Sequence, residues 1–501
     1  MTTRGSRAGV WILIVILSAY AGMGVAYAWF TPRWEAPDEP AHYNYIRYLL
    51  EHADLPVLER GDYDFAYLER IKAARFPPGM SIDPIRYESH QPPLYYVVGA
   101  TLVSPLPESW RILALRLLSV LLGLVLLVVV YGIGIEIFPD RVAIALGATA
   151  FVATVPMHVA MSAAINNDTA AELILALVLL LLVRRVTRPV EAYPRASDVT
   201  LGLLMGLGLL TKTTTYIALP LTLLVILAPS VWGRLSRAAL QGRAVPWSHS
   251  LRSLGRVFLV AFLVAAPWLV RNALVYGGLD VLGLLRHNAI MVEQPKTAEW
   301  LARLGWMGLA REFSLTTFRS FWAQFGWMGI LVDERLYQAL ALLCLLAGLG
   351  FLLFLIRDLR KLSVEQKLGL SILALSLTFT VASYLWYNIQ FVQHQGRYLF
   401  PALVPLALFA ALGIWKLLDR DYAWYWAGLL GLTLLGVGAK GWGSGNVNKW
   451  LMAICAAAAA LFVLRALLPK VRREIWYALP FLGLWTLDII CLAVFIVPYF
   501  R

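Results

Sequence analysis

The sequence has few charged residues and almost no cysteine, and these shortages narrow the classes of protein it can encode. Charged residues make up only 15% of the 501 positions. The three cysteines all lie in apolar runs, so the chain has neither a disulfide framework nor the spacing of a zinc site. Alternating strand patterns, a P-loop, a dinucleotide-binding fingerprint and a Ser/His/Asp motif are also missing. The sequence therefore does not describe a disulfide scaffold, a zinc domain or a nucleotide-binding enzyme.

Long apolar runs fill the chain instead. Hydrophobic residues make up 60% of it, and runs close to the length of a membrane span recur from end to end. In lipid, only helices and closed barrels satisfy their own backbone hydrogen bonds. We therefore predict an all-α polytopic membrane protein: a bundle of about 11–13 transmembrane helices, with interfacial helices in the outer loops.

The positive charge follows the membrane topology. A net charge of +13 could indicate a polyanionic partner. The basic residues, however, cluster in short loops between apolar runs, for example at Arg184, Arg185 and Arg188. This is the positive-inside pattern, so we expect no nucleic-acid partner. The same pattern predicts a cytoplasmic N-terminus and two long outer segments, residues 31–92 and 274–335.

An acidic pair stands where the chain first leaves the membrane. Asp38 and Glu39 lie between Pro37 and Pro40, and the pattern predicts that a helix begins at Pro40. One interpretation is an N-cap with proline at the first helical position. The other is a carboxylate placed for proton transfer at the membrane surface. The stretch alone leaves both interpretations open.

Other polar residues gather on the predicted outer side, at the ends of apolar runs. Ionisable residues at such depth are costly and tend to be functional. Arg397 is the strongest case, because Gly396 allows a close backbone approach and guanidinium pairs a phosphate bidentately. The residues that we take as site candidates are His42, His90, Gln91, Asn166, Asn167, Asp168, Lys212, Arg271, Arg397 and Tyr398; Asn272, His394 and Gln395 lie on the same side.

Several of these residues also have a purely local interpretation. His42 is four residues after Asp38 and could form a helix-surface pair with it. His90 and the Asn166–Asp168 turn could cap helices, and Lys212 and Arg271 could extend to lipid headgroups. Taken together, however, the set suits one chemistry, in which a carboxylate takes a proton from an acceptor while Arg and Lys hold a phosphate leaving group.

The motifs resemble the GT-C superfamily of membrane glycosyltransferases, which use polyprenyl-phosphate-linked sugars. The resemblance is greatest to the branch of protein O-mannosyltransferases and lipid A aminoarabinose transferases. The similarity extends to about residue 410, and six segments carry it in order: Pro37–His42, His90–Tyr96, Asn166–Asp168, Gly208–Lys212, Pro267–Asn272 and Gln395–Pro401.

The resemblance implies specific roles. Asp38 would be the catalytic base, with Glu39 as helper or acceptor ligand. Arg397, Lys212, Arg271 and Tyr398 would bind the donor phosphate. The sugar or acceptor would contact His42, His90, Gln91, Asn166, Asn167 and Asp168. The implied reaction is inverting transfer of a hexosyl or pentosyl group from a polyprenyl-phosphate donor to a hydroxyl acceptor (glycan, lipid or protein). It would occur at the outer face of the cytoplasmic membrane.

Some questions stay open at this level. A transporter or flippase of lipid-linked sugars, or a glycan polymerase or ligase, would share the phosphate site. No cofactor is required by the sequence; a divalent metal is possible, although no ligand spacing demands one. We predict a catalytic module over residues 1–416, including both outer loops, followed by C-terminal transmembrane helices of unknown role over 417–501.

Overall fold

The computed structural model describes residues 3–188, 195–235 and 246–500, and almost all of this is helical. The first half contains α1 (Thr3–Phe30), α2 (Glu39–His52), α3 (Phe65–Ala73), α4 (Leu94–Val103), α5 (Glu108–Ile137), α6 (Val142–Ala153), α7 (Pro156–Ser162), α8 (Asp168–Thr187), α9 (Arg195–Leu209) and α10 (Ala218–Leu235). The second half contains α11 (Trp247–Tyr276), α12 (Leu284–Ile290), α13 (Thr297–Trp322), α14 (Glu334–Arg357), α15 (Val364–Gln390), α16 (Leu403–Leu417), α17 (Ala423–Ser444), α18 (Lys449–Leu467), α19 (Arg473–Ile490) and α20 (Val497–Phe500). A π-helical turn, Cys491–Ile496, joins α19 to α20.

Short elements connect the helices. Single 3-10 segments lie at Tyr87–His90, Thr213–Ile217, Leu359–Lys361, Gly396–Ala402 and Arg420–Tyr422. Two two-residue strands, β1 (Gln324–Phe325) and β2 (Ile330–Leu331), pair antiparallel, with Gln324 opposite Leu331. The predicted all-α membrane fold is confirmed, and this hairpin is the small exception.

Ten helices in the described ranges are long and apolar enough to cross a membrane, by length and composition. The bent pair α6–α7 brings the number to eleven if it forms one span. The bend of 67° falls between the two helices, just before Pro156. Proline explains the break, because it has no N–H for the helical ladder and its ring clashes with the preceding turn.

The two long segments predicted on the outer side pack against each other at one end of the bundle, called here the loop end. Arg286 Nε donates to the Leu58 carbonyl oxygen at 3.1 Å. Just before the second segment, the Arg271 guanidinium donates to the carbonyl oxygens of Leu55 (3.1 Å) and Pro56 (2.7 Å). The Trp327 indole N–H donates to the Trp34 carbonyl at 2.9 Å. Segments 31–92 and 274–335 therefore form one surface above the helices.

A buried ion pair attaches this surface to the bundle. Glu39 and Arg116 are both almost fully buried, and Arg116 donates from Nε (2.7 Å) and Nη2 (2.6 Å) to the two Glu39 carboxylate oxygens. The same guanidinium donates to the carbonyls of Ala28 and Thr31, at the end of α1. One side-chain pair thus joins α1, α2 and α5.

The C-terminal helices pack on the rest of the bundle. The Tyr27 hydroxyl donates to the Asp488 carboxylate at 2.8 Å, and the Tyr477 hydroxyl donates to the Ala411 carbonyl at 3.2 Å. Arg75 of segment 31–92 donates to the Tyr499 carbonyl at 2.9 Å. The boundary at residue 416 stays a prediction.

We expect single cysteines at Arg60 and Arg360 to report opposite sides of the membrane. Both side chains are exposed, the first in segment 31–92 and the second between α14 and α15. With the three native cysteines replaced, an impermeant maleimide applied to intact cells should label R60C and leave R360C unmodified. Permeabilised cells, in which both should react, are the control. Labelling of R360C alone in intact cells would contradict the predicted topology.

Replacing Glu39 should destabilise the fold. Glu39→Gln removes the negative charge and leaves Arg116 buried without a counter-charge, a change that typically costs about 3–5 kcal/mol. The expected result is a marked loss of folded protein and a lower melting temperature in detergent. Glu334→Gln is the matched control, because Glu334 forms its 2.6 Å ion pair with Arg319 at an exposed position. Equal melting temperatures for both variants would show that the buried pair is not a structural requirement.

Candidate active site

Asp38 occupies the N-cap position of α2 without acting as a side-chain cap. Its backbone is left-handed, with φ of 65° and ψ of −5°, and its carboxylate accepts no capping hydrogen bond. Left-handed backbone is uncommon outside glycine, although aspartate and asparagine adopt it more readily than most residues. Such strain persists only where the surroundings enforce it, and it gathers at functional sites. The side-chain capping interpretation of Asp38 does not match these contacts.

The Asp38 carboxylate instead receives two donors from distant parts of the chain. Tyr87 donates its hydroxyl to Oδ1 at 2.7 Å, and Arg397 donates Nη2 to Oδ2 at 2.6 Å. Burial would raise the pKa of Asp38, but Arg397, His42 and the Tyr87 hydroxyl outweigh it and lower the pKa to about 2. The side chain is still 23% exposed. An ionised carboxylate therefore remains accessible beside a guanidinium group.

The Arg397 segment is held against α13 by a close backbone approach. A Cβ on Gly396 would lie 2.3 Å from both the Thr317 carbonyl oxygen and the Phe321 nitrogen, so only glycine fits. The Gly396 N–H donates to the Ser320 hydroxyl at 2.7 Å. Arg397 Nε donates to the Gln395 amide oxygen at 2.8 Å, which orients the guanidinium toward Asp38. The Tyr398 ring lies 5.4 Å from the same guanidinium carbon.

A second ion pair lies at the start of α8. Lys212 Nζ donates to Asp168 Oδ1 at 2.6 Å. Asn167 donates to the Thr211 carbonyl (3.0 Å) and to the Gln91 amide oxygen (3.3 Å), and its own Oδ1 is buried without a partner. These contacts bring together Gln91, the Asn166–Asp168 turn and the stretch ending at Lys212. The three are far apart in the sequence and were predicted to share one site.

His42 and His90 are buried, and burial favours the neutral form of both imidazoles. Burial lowers the pKa of His42, against the opposing charge of Glu88, and the ring nitrogen Nδ1 lies 2.8 Å from the Tyr96 hydroxyl. Burial and the neighbouring His287 lower the pKa of His90 to about 3. Its Nδ1 lies 3.1 Å from the Tyr87 carbonyl, which can only accept, so Nδ1 carries the proton.

Glu88 is a site residue that the sequence analysis missed. Its Oε2 is buried without a hydrogen-bond partner. Burial raises the pKa of Glu88, His42 opposes this, and the negative charge of Asp38 adds to it. Tyr87 was missed as well. Both directly precede the His90–Tyr96 motif, but no local pattern distinguishes them from ordinary loop residues.

The charges of five side chains influence one another here, and we call them the charged cluster: Asp38, Glu88, Asp168, Lys212 and Arg397. Within it, the environment favours the ionised form of Asp38 and disfavours that of Glu88. Two carboxyl groups whose pKa values are pushed apart form the usual arrangement of a base beside a hydrogen-bond-donating acid. The cations supply charge that could neutralise a phosphate.

Three predicted site residues, Glu39, Arg271 and Asn166, make hydrogen bonds that hold the surrounding structure together. Glu39 accepts from Arg116 and also from the backbone N–H groups of Trp34 (3.0 Å) and Ile165 (3.2 Å), which fills its acceptor positions. Arg271 holds segment 31–92 through its hydrogen bonds to the carbonyls of Leu55 and Pro56. Asn166 accepts from the Asp168 N–H at 3.0 Å, as a turn residue at the start of α8 does.

No group of three or more His, Cys, Asp or Glu side chains within the described ranges is arranged to hold a metal ion. Within the charged cluster, the carboxylates of Asp38 and Asp168 are paired with Arg397 and Lys212.

Several solved membrane-enzyme structures are similar to the chain. ArnT from Cupriavidus metallidurans, bound to undecaprenyl phosphate, aligns with a TM-score of 0.49 and 15% identity, over 98% of this chain and 77% of that one. An Archaeoglobus fulgidus oligosaccharyltransferase tethered to an acceptor peptide aligns with a TM-score of 0.49 and 16% identity, over 94% of this chain and 55% of that one. AglB from the same organism, in complex with an inhibitory peptide and a dolichol phosphate, aligns with a TM-score of 0.48 and 15% identity, over 96% of this chain and 56% of that one.

The family comparison is more specific. No curated protein sequence matches the chain. Residues 90–270, however, match the family of dolichyl-phosphate-mannose-protein mannosyltransferases. The matched range holds His90, the Asn166–Asp168 turn and Lys212, and it ends before Arg397. The predicted resemblance to protein mannosyltransferases is thereby confirmed over residues 90–270.

Proposed function

We propose that this chain is an inverting glycosyltransferase that moves a sugar from a polyprenyl-phosphate donor to a hydroxyl acceptor. The observation that carries the proposal is the accessible Asp38 carboxylate, which is paired with Arg397 inside the charged cluster. The family match over residues 90–270 supports the same reaction class. The sugar is a hexosyl or pentosyl group.

Asp38 acts as the general base. The acceptor oxygen attacks the anomeric carbon, its proton passes to an Asp38 carboxylate oxygen, and the bond from the anomeric carbon to the phosphate oxygen breaks. The electron pair of that bond leaves with the polyprenyl phosphate. A positioned base contributes roughly 10²–10⁴ to the rate of such a step.

Arg397 links donor binding to the strength of the base. In the free protein its guanidinium is the largest of the influences that overcome burial and lower the pKa of Asp38 to about 2, which makes a weak base. A donor phosphate competes for that guanidinium, because phosphate accepts a bidentate pair. Its negative charge then opposes ionisation of Asp38 and raises the pKa of that carboxyl toward the range useful for catalysis.

Other members of the charged cluster complete the site. Lys212 provides a second cation for the leaving phosphate, and Asp168 holds it in place. The unpartnered Oε2 of Glu88 faces the same charges and can bind a hydroxyl of the sugar or acceptor. Glu39 is assigned a structural role, because all its contacts go to Arg116 and to backbone N–H groups.

The charged cluster lies at the loop end of the bundle, where segments 31–92 and 274–335 meet. The positive-inside pattern supports an outward orientation of that end. We therefore place the reaction at the outer face of the cytoplasmic membrane.

Asp38→Asn should abolish most transfer while preserving the fold. Asparagine tolerates left-handed backbone and keeps the size of the side chain, but it cannot take a proton. We expect turnover to fall by roughly 10²-fold or more. The melting temperature should fall less than in Glu39→Gln, because the Asp38 side chain is 23% exposed and asparagine can still accept from Tyr87. The measurement is the release of polyprenyl phosphate from a polyprenyl-phosphate sugar, followed by mass spectrometry.

The matched control is Asp333→Asn. Asp333 caps α14, where its side chain accepts from the Arg335 N–H, and it lies outside the charged cluster. Near-parental transfer by the Asp38 variant would refute general-base catalysis by this residue. Passage of intact donor across the membrane, with no polyprenyl phosphate released by the parent, would favour a flippase instead.

Arg397→Lys should weaken donor binding although it keeps the charge. Lysine cannot form the bidentate fork, and a hydrogen bond to a charged group contributes about 1.5–3 kcal/mol. The dissociation constant of the donor should rise by about tenfold or more, and further in Arg397→Ala. Arg256→Lys is the control, because Arg256 pairs with Asp198 at 2.6 Å, away from the charged cluster. Unchanged donor affinity in Arg397→Ala would remove Arg397 from the phosphate site.

A further inference from the structure

His158, on the short helix α7, is a buried ionisable residue that takes no part in the proposed mechanism. It is 1% exposed, and its partner Glu172 on α8 is 8% exposed. His158 Nε2 lies 2.9 Å from Glu172 Oε2. The ring of His158 also meets that of Phe400 edge to face, with centroids 5.3 Å apart. Ionisable groups buried in a membrane bundle are costly to keep and tend to serve the function of the protein.

One nitrogen of His158 compensates for the break between α6 and α7. In a continuous helix, the Val152 carbonyl would accept from the N–H of residue 156. That residue is Pro156, which has no N–H to donate. His158 Nδ1 lies 3.2 Å from the Val152 carbonyl oxygen. Because a carbonyl can only accept, Nδ1 carries a proton, and the imidazole replaces the missing backbone donor.

The other nitrogen of His158 connects this break to α8. Since Nδ1 is already protonated, the contact between Nε2 and Glu172 holds one further proton, as imidazolium with carboxylate or as imidazole with carboxylic acid. Glu172 stands four residues after Asp168, on the same face of α8. The charges of Asp168 and Lys212 both act on Glu172. His158 therefore holds the first turns of α8, from which Asp168 pairs with Lys212.

The ring contact connects His158 to the second cation of the phosphate site. Phe400 is three residues after Arg397 in the 3-10 segment Gly396–Ala402, and side chains at that spacing lie one above the other. Phe400 also packs against Phe321 of α13, with ring centroids 5.5 Å apart. The imidazole of His158 thus packs on the segment that carries Arg397.

A residue needed only to close the helix break would not require an imidazole. The amide of asparagine could donate to the Val152 carbonyl and would add no ionisable group to the bundle. The second nitrogen of His158 and its ring make the two further contacts. Each of these leads to a segment that holds one cation of the charged cluster.

We propose that His158 is a positioning residue that sets the separation of Lys212 and Arg397. It acts on Lys212 through the first turns of α8 and on Arg397 through Phe400. The inference rests on the proposed function, in which both cations bind one phosphate group. It adds the residue that keeps them at a distance suited to that group.

The test compares two substitutions by the dissociation constant of polyprenyl phosphate, measured on the full chain in detergent. His158→Asn keeps a donor for the Val152 carbonyl, whereas His158→Gln keeps a polar group that can reach Glu172. We expect His158→Asn to raise the dissociation constant roughly 2- to 30-fold, the range for residues that act through others. His158→Gln should bind polyprenyl phosphate more tightly than His158→Asn does, because it retains the link to α8.

A double-mutant cycle separates positioning from a general loss of stability. The effect of His158→Asn should largely disappear in a Lys212→Gln background, because the separation of two cations has no effect once one of them is removed. Tyr27→Phe is the control, since it removes a buried 2.8 Å hydrogen bond to Asp488 outside the charged cluster. It should lower the melting temperature and leave the dissociation constant unchanged.

A further variant covers the case in which His158→Asn does not fold. His158→Phe combined with Glu172→Leu removes the pair without leaving a buried charge unpaired, and it keeps a ring against Phe400. We expect it to weaken binding of polyprenyl phosphate in the same way.

Two results would overturn the inference and leave the proposed function intact. One is parental affinity for polyprenyl phosphate in the folded His158 variants, and the other is an equal fold-change with and without Lys212. A parent protein that does not bind polyprenyl phosphate would instead refute the phosphate site, and with it both the inference and the proposed function. The affinity of the parent therefore distinguishes the two failures.

Discussion

The Glu39 carboxylate, at the first turn of α2, is fully buried, so its oxygens need hydrogen-bond donors from the protein. The arrangement of the whole loop end depends on supplying them. Arg116 supplies two of the donors, and the backbone at Trp34 and Ile165 supplies the others. A buried pair of this kind contributes little net stability but is very costly to break. Its effect is to fix where α2 begins relative to α1 and α5, and thereby where Asp38 stands.

Adjacent residues in the sequence acquire opposite roles for this reason. The helix begins at Glu39, so Glu39 points into the bundle while Asp38, in left-handed backbone, points toward Tyr87 and Arg397. Segment 31–92 is then held from the other side by Arg271, which binds the carbonyls of Leu55 and Pro56. Arg116 and Arg271 thus fix the two sides of the segment that carries Asp38, the partner of Arg397.

The sequence predicted the membrane class, the helical fold and the convergence of most site segments, because hydropathy and charge asymmetry act locally and leave a local pattern. Asp38, His42, Lys212 and Arg397 were predicted to lie together and do lie together. The role of each residue within the set was harder to predict, because Arg116, a partner 77 residues away, decides the role of Glu39. Arg116 did leave a signal, since an isolated arginine inside an apolar run requires an acidic partner.

Glu88 left no such signal, because its raised pKa comes from burial and from the charge of Asp38, which is distant in the sequence. A carboxyl group beside an ionised Asp38 resists ionisation, whereas Asp38 itself is held ionised by a guanidinium that the donor phosphate would also use. The protonation states of Asp38 and Glu88 therefore depend on each other and on what Arg397 binds. In the proposed mechanism, a donor phosphate that engages Arg397 raises the pKa of Asp38, so the base gains strength only when there is a donor to act on. The electrostatic arrangement proposed here would thus link catalysis to donor occupancy without a moving domain.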